Sequence, residues 1–499
     1  MSTVADWISK NANWAGDRIA LAMGDESFTY AEMDAAITRR CHALVEGLGV
    51  KPAEHVAFLA LNSCEQLLLL FACARVGCSL MPLNNRLAVP EHQWILEHSG
   101  ARYLLFEPEF EQTAVELNRA ISNLDVVALE DRFSPLVAAA SDVPFADAAD
   151  LESPVLLIYT SGTTGRPKGV VHQQRALLYN ALNAVHSQEM RADDHVLNVL
   201  PLFHSGGLNI QVTPALYLGA RVSLLRRFDP AATLQAIQSL RPTMFLAVPA
   251  IIQAMVDHPL WGETDLSCLR MVGTGSSNVP DALLNAWHDR DIPATQIYGL
   301  TESAPTAISL PIAETQRRLG AAGKPVIHCE ARVVGREGQI LGPEQRGEIQ
   351  LRGPNLLAEY FREPELTAES FDGDWFNTGD IGHQDVDGFY YIDDRKKDVI
   401  ISGGENIFPA ELENVLAFMP ELAEYAVIGA ADERWGETTV ACVVLREGAV
   451  LDAATLIKRF EGQLARFKHP RRVEFMDVLP RNAMGKVLKF KLREMLNSE

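Results

Sequence analysis

A chain of 499 residues is too long for one hydrophobic core, so two or more domains are expected. A composition of 47% apolar and 22% charged residues describes a soluble globular protein. The formal charge of −21 argues against general nucleic-acid binding and against adhesion to an anionic membrane, while leaving room for an anionic substrate held by local basic loops.

Seven cysteines, with no CxxC and no Cys/His zinc spacing, point to a reducing compartment and buried free thiols. The N-terminal residues carry Asp6 and Lys10 and no long apolar core, so no signal peptide is expected. The most apolar run, Leu67 to Ala74, is stopped by Arg75 and reads as a buried helix, not an integral membrane segment.

In chain order, Arg18 to Met23 and Ser27 to Thr29 flank a Gly24-Asp25 turn signal and predict a hairpin. Thr29 and Glu32 make a capping-box pattern, and Met33, Ile37, Cys41, Leu44, Val45 and Leu48 follow at helical spacing. Strands are expected at Val56 to Ala60, Leu80 to Pro82 and Tyr103 to Phe106, with helices at Ser63 to Val76 and Pro90 to His98 between them. This alternation predicts an α/β fold with a mostly parallel, doubly wound sheet. Residues from about 125 to 153, rich in Ala, Asp and Pro, read as a surface connection. A second alternating run follows, with strands at Val196 to Leu200, Arg221 to Leu225, Phe245 to Val248, Arg270 to Gly273 and Thr295 to Tyr298, so two α/β halves are expected. From about Cys329 short strands and turns predict a small β-barrel. After Asp393 the pattern changes again, to a small α+β domain with helices at Pro409 to Ala417 and Ala453 to Ala465 and strands at Tyr425 to Ala430 and Val440 to Leu445.

Several loops after strands carry candidate chemistry. The apolar run Val155 to Ile158 leads into Thr160, Ser161, Gly162, Thr163, Thr164 and Gly165, followed by Arg166, Lys168 and Gly169. Glycine allows close backbone approach, and hydroxyls, free N–H groups and two cations suit polyphosphate oxygens. The ordinary alternative is a polar surface loop, and no register supplies the usual P-loop spacing. Pro201 to Gly207 sets Phe203 and His204 beside two glycines, as a pocket wall or a structural histidine. Gly275, Ser276 and Ser277 could lie flat on a purine. Tyr298, Gly299, Leu300, Thr301 and Glu302 put a carboxylate beside hydroxyls, as in Mg²⁺–nucleotide sites, or simply begin a helix. Asp380 is a carboxylate at a turn, of the kind that takes ribose hydroxyls. The six charges from Asp393 to Asp398 read as a solvated hinge. Lys486 sits on a glycine loop near the C-terminus, where a surface lysine is the bland reading.

Taken together and in this order, these motifs resemble the adenylate-forming superfamily, in its acyl-CoA synthetase branch of fatty-acid–CoA ligases. The resemblance covers nearly the whole chain. Thr160 to Gly169 and Pro480 to Lys486 are its most specific parts. It implies a large N-terminal domain, residues 1–394, and a small mobile C-terminal domain, residues 395–499. Thr160 to Gly165 and Lys168 would hold the β- and γ-phosphates of ATP, with Glu302 on Mg²⁺ and Thr301 at the α-phosphate. Tyr298 and the Gly275, Ser276 and Ser277 backbone would sandwich adenine. Asp380 would take ribose hydroxyls with help from Arg395. Lys397 would be the hinge, His204 and Gly299 would line the acyl pocket, and Lys486 would be the catalytic lysine. Gly403, Gly404 and Glu405 would face the pantetheine tunnel of coenzyme A after rotation. Ser277-Asn278 departs from the Ala-Pro of many relatives, which leaves the shape of the adenine loop open.

The implied activity is ATP-dependent, AMP-forming ligation of a fatty or similar apolar acid to coenzyme A. An aryl-acid or succinylbenzoate-type ligase, a stand-alone enzyme loading a carrier protein, and a silent nucleotide sensor are the alternatives. The implied setting is cytoplasmic, with a homodimer left open. Acetylation of Lys486 would abolish its charge, so a lysine acetyltransferase and deacetylase are implied partners.

Overall fold

A computed structural model describes residues 3–497 except 147–148, 161–166, 276–278, 403–404, 433 and 483–484. Ser161 to Gly165, Ser276, Ser277, Gly403 and Gly404 therefore lie outside the described residues.

Two large sheets form the body. In the first, of nine strands, Ala294–Tyr298, Met271–Gly275, Met244–Leu246, His195–Asn198, Arg221–Leu224 and Ile19–Met23 run parallel in that spatial order, with antiparallel strands at both edges. In the second, of seven, Pro154–Thr160, Ser79–Pro82, His55–Leu59, Tyr103–Phe106 and Asp125–Ala128 are parallel. The strands Lys168–Gln173 and Glu359–Tyr360 close one edge antiparallel. These are the two expected α/β halves.

The helix Cys64–Val76 is buried along its whole length, because it packs against both sheets. Only an element apolar on every face can occupy that position. Its last-turn cation, Arg75, is also buried. Its Nε donates to the Ala5 carbonyl at 3.2 Å, its Nη1 donates to the Thr38 hydroxyl at 3.1 Å, and it pairs with Asp34. The helix Tyr30–His42 begins at the anticipated capping box, with Thr29 N–H donating to the Glu32 carboxylate at 2.8 Å.

Two expectations are corrected. The segment from 125 to 153 is not merely a connection. It contains the edge strand Asp125–Ala128 and the helix Ser134–Ala139, each too short to display a period. The helix expected to reach Ala465 stops at Lys458. Gly462, at φ +79°, lies in a conformation that a continuing helix excludes.

A third sheet is antiparallel and joins Glu330–Val334, Gly347–Arg352, Trp375–Gln384, Phe371–Asp372 and Tyr390–Arg395. Alternation along Trp375–Gln384 turns Phe376, Thr378 and Asp380 to the buried side. A fourth sheet gathers Ile400–Ser402, Glu405–Ile407, Leu422–Asp432, Gly436–Leu445 and Arg472–Phe475, flanked by the helices Pro409–Leu416 and Lys489–Asn497. All seven cysteines are free, six buried and Cys268 partly so.

Burial pulls the imidazoles of His55, His92, His172, His195 and His204 down from 6.5 to about 4. Each binds its proton more weakly folded than unfolded. Between pH 6.5 and about 4 the unfolded chain therefore takes up protons that the folded chain refuses, and stability falls as pH falls through that window. The urea midpoint is expected to drop markedly from pH 7 to pH 5, less so in His172→Gln. Equal midpoints at the two pH values would contradict the burial of neutral histidines.

Candidate active site

The site forms where the C-terminal ends of the first sheet meet the third sheet. The strand Ala294–Tyr298 ends in Gly299, whose added Cβ would lie 1.7 Å from the Pro305 carbonyl oxygen. The neighbouring strand ends in Gly275, whose Cβ would lie 2.1 Å from the Ile297 oxygen. At both positions only glycine permits the backbones to approach so closely.

Asp380, 3% exposed, is the meeting point. Its Oδ2 accepts from the Tyr298 hydroxyl at 2.7 Å, and its Oδ1 pairs with Arg395 Nε at 2.7 Å. Its backbone N–H donates to the Thr378 hydroxyl at 3.1 Å, which donates to the Ile349 carbonyl at 2.6 Å. Burial and the adjacent carboxylate push the Tyr298 phenol well above its ordinary value, so it serves as a neutral donor.

Thr301 and Glu302 begin a short 3-10 turn directly beyond Gly299. The Thr301 hydroxyl lies 3.0 Å from that of Ser205, and its carbonyl lies 2.7 Å from His172 Nε2. The Glu302 carboxylate accepts from the Tyr360 hydroxyl at 2.8 Å, and Lys168 Nζ lies 5.5 Å above the centre of the Tyr360 ring. The sequence reading missed Tyr360. Its signal is its place in Glu359–Tyr360, which pairs with Lys168–Gln173, the strand that follows the Thr160 to Gly165 run. The strands that flank this run are antiparallel, with Thr160 opposite Lys168, whereas a P-loop leads from a strand into a helix.

His204 stands at the start of the helix Ser205–Asn209, and its Nδ1 accepts from the Gly206 N–H at 3.1 Å. That bond and the burial that lowers its pKa to about 4 keep the imidazole neutral.

The structure brings Lys486 to this centre. Its backbone is fixed by Asn482, which accepts from Lys486 N–H at 2.9 Å and donates to the Lys486 carbonyl at 2.8 Å. Gly485, at φ +75°, seats the loop on the helix Pro249–Val256, where an added Cβ would lie 3.1 Å from that of Ala250. Burial, then the Arg395 charge, hold the Lys486 ammonium below its usual value, with Asp380 opposing. A second contact between the same two parts of the chain is the Arg446–Asp257 ion pair at 3.5 Å. Glu405 is exposed at the edge of the fourth sheet and makes no hydrogen bond to the Asp380 centre.

The charged run from Asp393 to Asp398 is a set of paired charges, which corrects its reading as a solvated segment. Asp393 takes Arg346 at 3.2 Å and His383 at 3.0 Å. Asp394 accepts from Ala410 N–H at 3.0 Å, and burial raises its carboxyl to about 6. Lys396 pairs with Glu348 at 2.8 Å, and Asp398 with Arg493 at 2.8 Å. Among the described residues Lys397 alone in the run, exposed at its turn, has no hydrogen-bonded or ion-paired partner.

Residues 8–361 match the family model of the AMP-binding enzyme, and residues 411–486 match that of the AMP-binding enzyme C-terminal domain. The chain belongs to the AMP-binding enzyme family. It is an acid–CoA ligase of the adenylate-forming superfamily. An indoleacetate–CoA ligase of Aromatoleum aromaticum is 43% identical to it, across 99% of this chain and 98% of that protein. A feruloyl-CoA synthase of an Amycolatopsis species is 38% identical over 98% of each chain. Among solved structures, the o-succinylbenzoate CoA synthetase of Bacillus subtilis, in complex with its acyl-adenylate intermediate, superposes with a TM-score of 0.89 at 33% identity, over 98% of each chain.

Removing the Asp380 carboxylate would leave Arg395 without its counter-charge in a partly buried position. Because the Arg395 side chain keeps 37% exposure, Asp380→Ala is expected to cost about 2–3 kcal/mol, less than the roughly 3–5 kcal/mol of a fully buried pair. Urea unfolding measures it, and a loss below about 0.5 kcal/mol would mean that the pair is effectively solvated.

Proposed function

We propose that this ATP-dependent ligase activates an aryl or arylalkyl carboxylic acid, with residues 1–394 as the adenylating body and residues 395–499 as the part that moves between its two half-reactions. The observation that carries the substrate class is the full-length 43% identity to an indoleacetate ligase. The feruloyl and succinylbenzoate relatives likewise take acids that bear a ring. Two features of the acid-side wall agree. Phe203 is followed by His204-Ser205, with no carboxylate there to receive an α-amino group. The neutral His204 offers no fixed cation to a second carboxylate. The fatty-acid alternative stays an outcome of the test.

In the first half-reaction a carboxylate oxygen attacks the α-phosphorus of ATP. The bond to pyrophosphate breaks, and acyl-adenylate forms. Tyr298 and the glycine-flanked strand ends would hold the nucleotide, and Asp380 with Arg395 would take the ribose. A carboxylate oxygen carries two lone pairs, so the bonds to Tyr298 and Arg395 leave capacity for two hydroxyls. Lys168 would hold the distal phosphates, and Lys486 and Thr301 would meet the charge that develops on the phosphoryl oxygens. Among the described residues no three His, Cys, Asp or Glu side chains gather to hold a metal. Glu302 thus offers one carboxylate, which fits Mg²⁺, since that ion takes one or two carboxylates together with substrate phosphates and water. When bound, Mg²⁺ would neutralise phosphate charge. In the second half-reaction the thiolate sulfur of coenzyme A attacks the acyl carbon, and the bond to AMP breaks. The Gly403 to Glu405 edge would then face the pantetheine arm, with Lys397 absorbing the rotation.

Among the described residues no helix is long and apolar enough to cross a membrane. A supply of ATP and coenzyme A, and seven cysteines that form no disulfide, support a cytoplasmic setting.

The test is coenzyme-A-dependent AMP release across an acid panel. Indole-3-acetate, phenylacetate and a cinnamate are expected to exceed palmitate and octanoate in kcat/KM by at least about tenfold, a gap of roughly 1.4 kcal/mol that pocket complementarity can supply. A preference for alkyl acids would overturn the aryl reading. Transfer to a phosphopantetheinyl carrier, but not to coenzyme A, would favour the carrier-loading reading. A further check concerns Glu302. Tyr360→Phe removes the donor to its carboxylate and is expected to shift the Mg²⁺ concentration for half-maximal adenylation by about threefold to tenfold. An unchanged Mg²⁺ dependence would detach Tyr360 from the metal carboxylate.

A further inference from the structure

Thr301 is held in an unusually complete way. Its carbonyl accepts from the Nε2–H of His172, a fully buried imidazole whose Nδ1 has no partner among the described residues. The turn it begins is closed by the Ser303 hydroxyl, which accepts from Leu300 N–H at 3.0 Å. Ser303 is itself tied down by Asn355 Nδ2, which donates to its carbonyl at 2.8 Å. With the backbone fixed on both sides, the freedom left to Thr301 is the direction of its hydroxyl proton. The group that meets this hydroxyl is Ser205, 1% exposed, at 3.0 Å.

A hydroxyl has one proton and two acceptor lone pairs. If Thr301 donated to Ser205, it would present only lone pairs to a phosphate oxygen, which repel an anion. If Ser205 donates to Thr301 Oγ1, the Thr301 proton is released to point outward. The Ser205 bond thus has one polarity that favours an anion and one that opposes it. Ser205 also lies between His204 and Gly206, so on the function proposed above this single contact would join the acid side of the centre to its phosphate side.

We propose that Ser205 is a positioning residue for adenylation: by donating to Thr301 Oγ1 it directs the Thr301 proton onto one prochiral oxygen of the α-phosphate. The proposal rests on the reading that Thr301 meets the α-phosphate, and the experiment separates the two.

Single-turnover acyl-adenylate formation is measured with ATP and with the Sp and Rp diastereomers of ATPαS, in Mg²⁺ throughout. The variants are Ser205→Ala, Ser205→Thr, Thr301→Val and the double Ser205→Ala/Thr301→Val. Ser205→Ala is expected to slow adenylation by about tenfold, leave the KM for the acid unchanged and narrow the rate ratio between the two diastereomers. Ser205→Thr, which keeps the hydroxyl, should restore that ratio. The double variant should be no slower than Thr301→Val, because Ser205 acts only through that hydroxyl. Conversion of supplied acyl-AMP and coenzyme A to thioester should stay at the parental rate in Ser205→Ala, which also shows that the variant is folded. If Thr301→Val leaves the diastereomer ratio at its parental value, the placement of Thr301 at the α-phosphate fails, and the proposal with it. If Thr301→Val changes the ratio but Ser205→Ala does not, or if the two losses multiply in the double variant, Ser205 is a packing residue and the proposal is overturned while Thr301 keeps its role.

Discussion

The contact on which the rest of the site depends is the pairing of the buried Asp380 carboxylate with the Tyr298 hydroxyl on one side and the Arg395 guanidinium on the other. A buried carboxylate is tolerated only when its oxygens are paired and hydrogen-bonded. Here the partners come from different sheets. Tyr298 ends a parallel strand of the first, Asp380 lies on the long middle strand of the third, and Arg395 closes the strand that leads to the C-terminal part. Satisfying one carboxylate therefore ties the two sheets to each other at the end of the strand Tyr390–Arg395. The same carboxylate keeps unused lone pairs beyond the bonds to Tyr298 and Arg395.

Lys486 approaches this centre from the far end of the chain, and the energetics of its seating are modest by design. The ammonium is held below its ordinary value by burial and by Arg395, with Asp380 opposing. A phosphoryl group bearing negative charge would reverse that balance. Besides Asp380 with Arg395, the ion pairs across residue 394 include Arg446 with Asp257, Arg346 with Glu411 and Lys396 with Glu348, partly exposed pairs of the kind worth roughly 0.2–1 kcal/mol each. Each of these exposed pairs alone is too weak to lock an arrangement. Among the described residues Lys397, exposed, is the one charge of the run with no hydrogen-bonded or ion-paired partner.

Much of the fold was legible in the sequence because long parallel-sheet proteins advertise their strands as apolar runs followed by glycine loops. The doubly wound halves, the buried helix Cys64–Val76 and the capping box at Thr29 all follow from local pattern. The edge strand Asp125–Ala128 and the early end of the helix at Lys458 did not, because four residues carry no period and a single Gly462 can override an amphipathic one. In the site, the residue types at Tyr298, Glu302, Asp380 and Lys486 were readable from their loops. Their convergence was not, since it depends on pairings between residues as far apart in the chain as Tyr298 and Asp380. Tyr360 and His172 escaped notice for the same reason. Each looks like an ordinary strand residue until the partner strand brings Glu302 or Thr301 against it. The charged run was misread for the opposite cause: composition gave the charges, but their partners lie tens of residues away on either side.

In the mechanism proposed above, the C-terminal part delivers Lys486 to the Asp380 centre for the first half-reaction only. Single-turnover kinetics of Lys486→Ala, with the two half-reactions measured separately, tests it most directly. Loss of one preorganised cation is expected to slow acyl-adenylate formation by about 10²–10³, on the scale of removing an oxyanion-stabilising donor. Supplied acyl-AMP and coenzyme A should still give thioester at close to the parental rate. Adenylation at the parental rate in the variant, or an equal loss in both steps, would contradict the account.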